Sequence, residues 1–376
     1  MTRRIADLDS LRGLAIIMVL LFHAHSIGVA WPVPAWDHLT LNYIEFWPGV
    51  DLFFAVSGFI IARALLPQLA AAETPAAFLR VALAFWTRRA WRLLPAAWLW
   101  LAITLALSVV FRGRGDFGDV HTNFEATIAG MLALANFRFA ASFWQWDYGA
   151  SSQYWSLSLE EQFYLLLPPL AFLLRRRLAI AIALLAALFF CLPPLPWVGT
   201  LRLHAILLGV LVAILSATPA WALTAPSFLR GPAWRRWLTL GICLLGITAV
   251  APIKQRVTAL PFDVIGVLCG ALVLIAGHDR GFLSLGRAVD RVLHWFAARA
   301  YSLYLCHVAI LLANRIVWQA MLPGGFDHRP AAKLAFLLTD WLLVFAAAEL
   351  TLRLVETPLR RRGAVIVQAM LAADHT

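Results

Sequence analysis

The 376-residue chain is 62% hydrophobic and only 14% charged, against roughly 45–50% and about 25% for soluble domains. That excludes a water-soluble globule, a disordered chain and a disulfide scaffold, and makes lipid the solvent for much of the surface. The net charge of +11 does not point to nucleic acid: Lys254 and Lys333 are the only lysines among 31 basic residues, and the arginines fall in short clusters between apolar runs, as topology signals do.

A crossing needs about 20 mostly apolar residues. In chain order the candidate spans are 8–30, 47–66, 95–111, 155–174, 178–194, 197–217, 237–252, 260–277, 295–318 and 332–354. The run after Arg3 and Arg4 continues too far for a cleavable signal peptide. Residues 75–94 are apolar but carry Arg80, Arg88, Arg89 and Arg92, and read as an interfacial helix. The apolar stretch 124–140 is ambiguous, and positive charge decides it. With Arg3 and Arg4 inside and 124–140 not crossing, the clusters at 75–94, 175–177, 230–236, 280–291 and 360–362 all fall on the cytoplasmic side. Arg112, Arg114, Lys254 and Arg256 are the exceptions. The expectation is therefore an all-α polytopic membrane protein with about ten transmembrane helices, 124–140 re-entrant or interfacial, and both termini cytoplasmic. One transmembrane domain spans 1–362, and 363–376 form a short cytoplasmic tail. Cys191, Cys243, Cys269 and Cys306 sit in apolar stretches without metal-type spacing. They read as buried thiols, and no metal is expected.

Ionisable residues inside spans are costly and usually face a cavity or a partner. Arg12 and His23 are eleven residues apart, three helical turns plus about 20°, so they share a face. His25 lies about 200° from His23 and faces elsewhere. In the second span Asp51 sits near the outer interface, while Ser57 and Gly58 allow close helix approach. Glu160 and Glu161 stand at the head of an apolar helix that Ser156 or Ser158 can cap, and adjacent helix positions point about 100° apart. Tyr301, Tyr304 and His307 form a row at intervals of three, which is either a polar lining or interface aromatics with one satisfied histidine.

These segments together resemble acyltransferase family 3, a group of integral membrane proteins of the bacterial envelope. Leu8–Ala15 with Phe22-His23 resembles the family's opening motif, an arginine, ten intervening residues and a histidine, met by Arg12 and His23. Gly49–Gly58 resembles its second motif, and Arg88-Arg89-Ala90-Trp91-Arg92-Leu93-Leu94-Pro95 its basic element. Trp155–Leu165 is similar to its S-L-S-x-E-E-Q-F-Y element, and Tyr301–His307 to its late Y-S-L-Y-L-x-H element. The motifs run in order over residues 7 to about 355, with Cys306 standing where the family often has an aromatic residue.

The resemblance implies transfer of an acyl group, commonly acetyl from acetyl-CoA, to a hydroxyl of a cell-envelope glycan or related lipid-linked acceptor in the inner membrane. Neutral imidazole suits proton removal at pH 7, which fits His23 as base or acyl carrier. Glu160 or Glu161 would orient a histidine or bind acceptor hydroxyls. Arg12, Arg88, Arg89 and Arg92 suit the phosphates of the donor. Asp51, Ser57, Tyr301, Tyr304 and His307 would line the pocket. Acyl-CoA, the acceptor and membrane lipids are the expected partners, with no permanently bound cofactor and no nucleic acid. A transporter or flippase for an envelope precursor is the alternative, since it would use the same polar spans to move a substrate unchanged. The absence of an internal repeat tells against it. Another membrane O-acyltransferase superfamily also uses an intramembrane histidine, but its Asn-plus-distant-His pattern is not evident here. A purely structural protein would need none of the polar clusters.

Overall fold

The computed structural model describes residues 4–27, 43–114, 116–143, 145–193, 199–253, 260–322 and 329–372. Lys254, Arg256, Arg3, the ends of spans 8–30 and 197–217, and the last four residues of the tail lie outside these. Among the described residues there are helices and no strand. They are α1 (Ala6–Ser26), α2 (Gly49–Ala70), α3 (Pro75–Val110), α4 (Val120–Met131), α5 (Ala135–Ser142), α6 (Tyr154–Leu174) and α7 (Leu178–Cys191). Then follow α8 (His204–Leu215), α9 (Ala233–Val250), α10 (Leu260–Gly277), α11 (Arg287–Met321), α12 (Pro330–Thr351) and α13 (Thr357–Ala372).

Among the described residues, six helical segments are long and apolar enough to cross a membrane: α1, α2, α3, α10, α11 and the stretch from α12 to α13. They match six of the ten expected spans. The other four do not meet that measure. Helices α7 and α8 have 14 and 12 residues, about 21 and 18 Å against a hydrocarbon core of about 30 Å. Helix α6 carries Glu160, Glu161 and Gln162, and α9 carries Arg235 and Arg236.

Two element boundaries differ from the sequence reading. The basic segment 75–94 is not a separate helix but the first half of α3, which runs 36 residues through Pro95. Thr74 caps it, accepting from the Ala77 N–H at 3.2 Å. The proline deletes a single ladder bond, to Trp91, without ending the helix. Likewise α12 passes through a π turn, Leu352–Glu356, into α13, so the helix continues across residue 362. Gly363 lets it lie on Trp91, where a Cβ would come within 2.5 Å of the indole's own Cβ.

The stretch 124–140 forms two short helices, α4 and α5, broken at Leu132–Leu134. Neither is long enough to span. Ala133 takes a left-handed backbone, φ 55°, which a non-glycine residue keeps only when held. Gln162 holds it, donating to the Ala133 carbonyl at 2.7 Å and to Asn136 Oδ1 at 2.9 Å. Ser158 adds an acceptor for the Ala135 N–H at 3.2 Å.

The chain divides into two compact units. The first comprises residues 1–22, 38–73 and 167–300. Its helices meet backbone to backbone through glycines. A methyl group on Gly58 would strike the Ile206 carbonyl, and one on Gly209 the Ala55 carbonyl, so α2 and α8 touch as small-residue membrane helices do. The close-approach role expected of Gly58 is met, with Ser57 half-buried beside it. The second unit comprises residues 23–37, 74–166 and 301–376.

The cysteine expectation needs one correction. Cys269 and Cys306 are buried and Cys243 half-buried, but Cys191, at the end of α7, is exposed. An apolar sequence context marks a lipid-facing position as readily as a core one.

Candidate functional site

The second unit gathers most of the expected site residues. His23, in the last turn of α1, meets His307 of α11 edge to face, ring centroids 4.7 Å apart and planes at 71°. His307 is fully buried. Its Nδ1 lies 3.0 Å from the Leu303 carbonyl. A carbonyl only accepts, so Nδ1 carries the proton and Nε2 is left with its lone pair. That Nε2 is buried and has no hydrogen-bond partner among the described residues. His23 is half-buried, and so the more open member of the pair.

Tyr304 stands one turn below His307, ring centroids 5.7 Å apart. Its hydroxyl donates to the Gln153 carbonyl at 2.9 Å, and Ser156 Oγ lies 2.5 Å from the Tyr304 hydroxyl oxygen. Ser156 is thus not the cap expected of it. It is the third residue of α6 and ties that helix to α11. Tyr301 donates to the Leu93 carbonyl at 2.7 Å, and Tyr154 to the Ala97 carbonyl at 2.8 Å. The two carbonyls are one turn apart on α3, so α6 and α11 are pinned to one stripe of it. Glu161, Glu356 and Arg92 lie within electrostatic range of the Tyr301 hydroxyl. Glu356 is buried and accepts from Ser302 at 3.0 Å.

The basic segment splits by face. Arg88 is exposed. Arg89 lies over the ring of Tyr164 at 5.0 Å and that of Phe85 at 5.7 Å. Tyr164 in turn donates to Glu160 Oε2 at 3.1 Å, and its carbonyl takes the Trp86 indole N–H at 3.0 Å. Arg92 is half-buried, with an Nε that is sealed and without a hydrogen-bond partner among the described residues. Glu160 and Glu161 therefore serve different neighbours, as their 100° offset requires: Glu160 faces Tyr164, and Glu161 faces the tyrosines of α11 and α6.

Arg12, Asp51 and Ser57 belong to the first unit. Arg12 pairs with Asp9 at 3.5 Å. Asp51 is buried against Arg202 at 3.4 Å, whose guanidinium lies over Trp47 and Phe262 at 4.5 and 5.4 Å.

Four residues of the second unit escaped the sequence reading: Gln153, Tyr154, Tyr164 and Glu356. An acid within an apolar helix was the available signal for Glu356. Tyr164 lay inside a motif already singled out. Gln153 and Tyr154 carried no pattern at all.

A family model described as an acyltransferase domain matches residues 5–352. The peptidoglycan O-acetyltransferase OatA of Listeria monocytogenes is 25% identical over 391 residues, covering 96% of this chain and 56% of its own length. The putative peptidoglycan O-acetyltransferase YrhL of Bacillus subtilis is 27% identical over 398 residues, with coverage of 96% and 56%. The O-acetyltransferase OatA of Staphylococcus aureus is 24% identical over 392 residues, with coverage of 96% and 58%. The chain thus spans a little over half the length of the curated relatives it matches. No solved structure matches it.

Proposed function

This chain belongs to the acyltransferase family matched over residues 5–352, and we propose that it is a multi-pass membrane O-acetyltransferase that carries acetyl from acetyl-CoA to a hydroxyl of a cell-wall glycan. The observation that carries this reading is the contact of His23 and His307, with one bare ring nitrogen, in the unit that also holds the arginines of α3 and the glutamates of α6. The acceptor class is taken from the relatives, which are named for O-acetylation of peptidoglycan.

In the proposed reaction the histidine pair removes the proton of the acceptor hydroxyl as its oxygen attacks the thioester carbon. Collapse of the tetrahedral adduct breaks the carbon–sulfur bond. The electron pair leaves with sulfur, which takes the proton back from imidazolium. The products are an acetyl ester and coenzyme A with a free thiol. His23, the more open ring, meets the hydroxyl, and His307 holds it in place with Nδ1 locked to Leu303. Arg89 and Arg92 grip donor phosphates, with Arg88 supplying further positive charge on the cytoplasmic side. The distribution of its arginines supports a cytoplasmic-membrane protein with both termini inside.

The test uses the full-length purified chain in lipid nanodiscs, acetyl-CoA as donor and soluble peptidoglycan fragments as acceptor. His23→Ala and His307→Ala are each expected to lower ester formation by about 10²-fold or more, while inserting like the parent. Parental turnover by His23→Ala would overturn the assignment.

A further inference from the structure

We infer that the side-chain amide of Gln153 holds the acyl carbonyl oxygen as it becomes an oxyanion. The inference rests on the acyl-transfer reading above and assigns it the donor that the reaction otherwise lacks.

Gln153 is 1% exposed, and both Nε2 and Oε1 are sealed without a hydrogen-bond partner among the described residues. Buried amides almost always find partners. An orphaned one in a fixed place calls for an occupant from outside the chain. Ser151, two residues earlier, repeats the pattern, 1% exposed with an unpartnered Oγ. The backbone carbonyl of Gln153 is by contrast engaged. It takes the Tyr304 hydroxyl at 2.9 Å, and Tyr304 is the ring beside His307. The residue that bears the orphaned amide is thus tied, through its own carbonyl and Tyr304, to the ring of His307.

The chain makes this placement rigid. Gly149 turns with φ 96°, where a Cβ would press on Asn123 at 2.9 Å. Asn123 accepts from the Ala150 N–H at 2.9 Å and donates to the Phe117 carbonyl at 2.5 Å. Gln153 immediately precedes α6, so developing negative charge beside it also meets the positive end of that helix dipole. In the step described above, the carbonyl π pair moves to oxygen as the hydroxyl attacks. The amide N–H receives that oxygen and releases it when the carbon–sulfur bond breaks. A donor aimed at developing charge acts on turnover rather than on binding.

Three full-length chains in nanodiscs test this: the parent, Gln153→Met and Gln153→Glu, with coenzyme A thiol release from acetyl-CoA as the assay. Methionine keeps the shape and removes every polar atom. Glutamate keeps shape and polarity and removes the N–H donors. Both are expected to lose about 10²–10³-fold in kcat, with KM for acetyl-CoA within about threefold of the parent. Gln153→Met should melt at the parent's temperature or higher, because it removes an unmet buried polar group. Isotope-edited infrared spectra of bound [1-13C]acetyl-CoA should show the thioester carbonyl at lower frequency in the parent than in either variant. Parental kcat in Gln153→Met, a defect confined to KM for the glycan, or a loss of activity that tracks a lowered melting temperature would each overturn the assignment. A parent that releases no thiol sinks the acyl-transfer reading and this inference together. A parent that turns over beside an equally active Gln153→Met sinks the inference alone.

Discussion

A histidine with one nitrogen fixed on a carbonyl has only the other left for chemistry, and His307 is in that position through Leu303. The row Tyr301, Tyr304, His307 was legible from its spacing, since residues three apart share a helix face. The partner of the row was not. His23 lies 284 residues earlier, and no local pattern links two positions that distant. Tyr304 links the row to α6, so Tyr304→Phe should leave the Gln153 carbonyl and Ser156 short of a partner. We expect a loss of about 1–3 kcal/mol, read as a lower thermal midpoint in nanodiscs. Arg89 and Arg92 should separate in a lysine scan. Lysine keeps the charge but loses the flat fork, and Arg89 uses that flat face on Tyr164. Arg89→Lys is expected to raise KM for acetyl-CoA by about tenfold, some 1.4 kcal/mol of donor binding. An unchanged KM in both lysine variants would make these arginines anchors.

At the scale of elements, apolar runs were legible and their joins were not. A charge cluster looks like a break in sequence, yet α3 carries four arginines through 36 residues without one. The arginines sit on an amphipathic half that leads directly into the apolar half, and long aliphatic stems let such residues cover apolar surface. The break at Leu132–Leu134 needed Gln162, from another helix, to hold it. Backbone contact of α2 with α8 makes Gly209 intolerant of any side chain. Gly209→Ala should destabilise the protein by about 1–3 kcal/mol, measured by thermal unfolding. The turn 219–224 docks differently, through a titratable group outside the spans. His278 stacks on Trp221 at 3.9 Å and bonds Thr224 at 3.2 Å. Burial, aided by the Arg280 charge, lowers its pKa from the ordinary 6.5. The folded form therefore favours neutral imidazole, so docking is complete above that value and weakens as pH falls below it. Hydrogen exchange over 219–224 should speed up on going from about pH 8 to about pH 5, beyond the intrinsic change. His278→Phe should abolish that difference.

For the whole molecule, composition alone excluded a soluble fold, and the six long apolar helices agree. The expected side of the membrane rests on arginine placement. A cysteine replacing Arg176, in a chain lacking the native thiols, should stay unlabelled by an impermeant maleimide in intact cells. A second cysteine at Leu132, on the break between α4 and α5, tests the non-spanning segment. With 124–140 returning to the side it came from, Arg112 and residues 145–153 share a face, and cysteines at Arg112 and Gln145 should label alike. Strong outside labelling at position 176 would reverse the count.

The uneven exposure of the four thiols gives the unmodified protein a reporter. Only Cys191 is exposed, at the last residue of α7, while Cys269 and Cys306 are shut away. Thiol reagents follow access, so a small fluorophore should attach there first and leave the histidine pair untouched. Quenching of that dye by lipids brominated at successive depths would then locate the end of α7 in the bilayer, with no substitution anywhere in the chain.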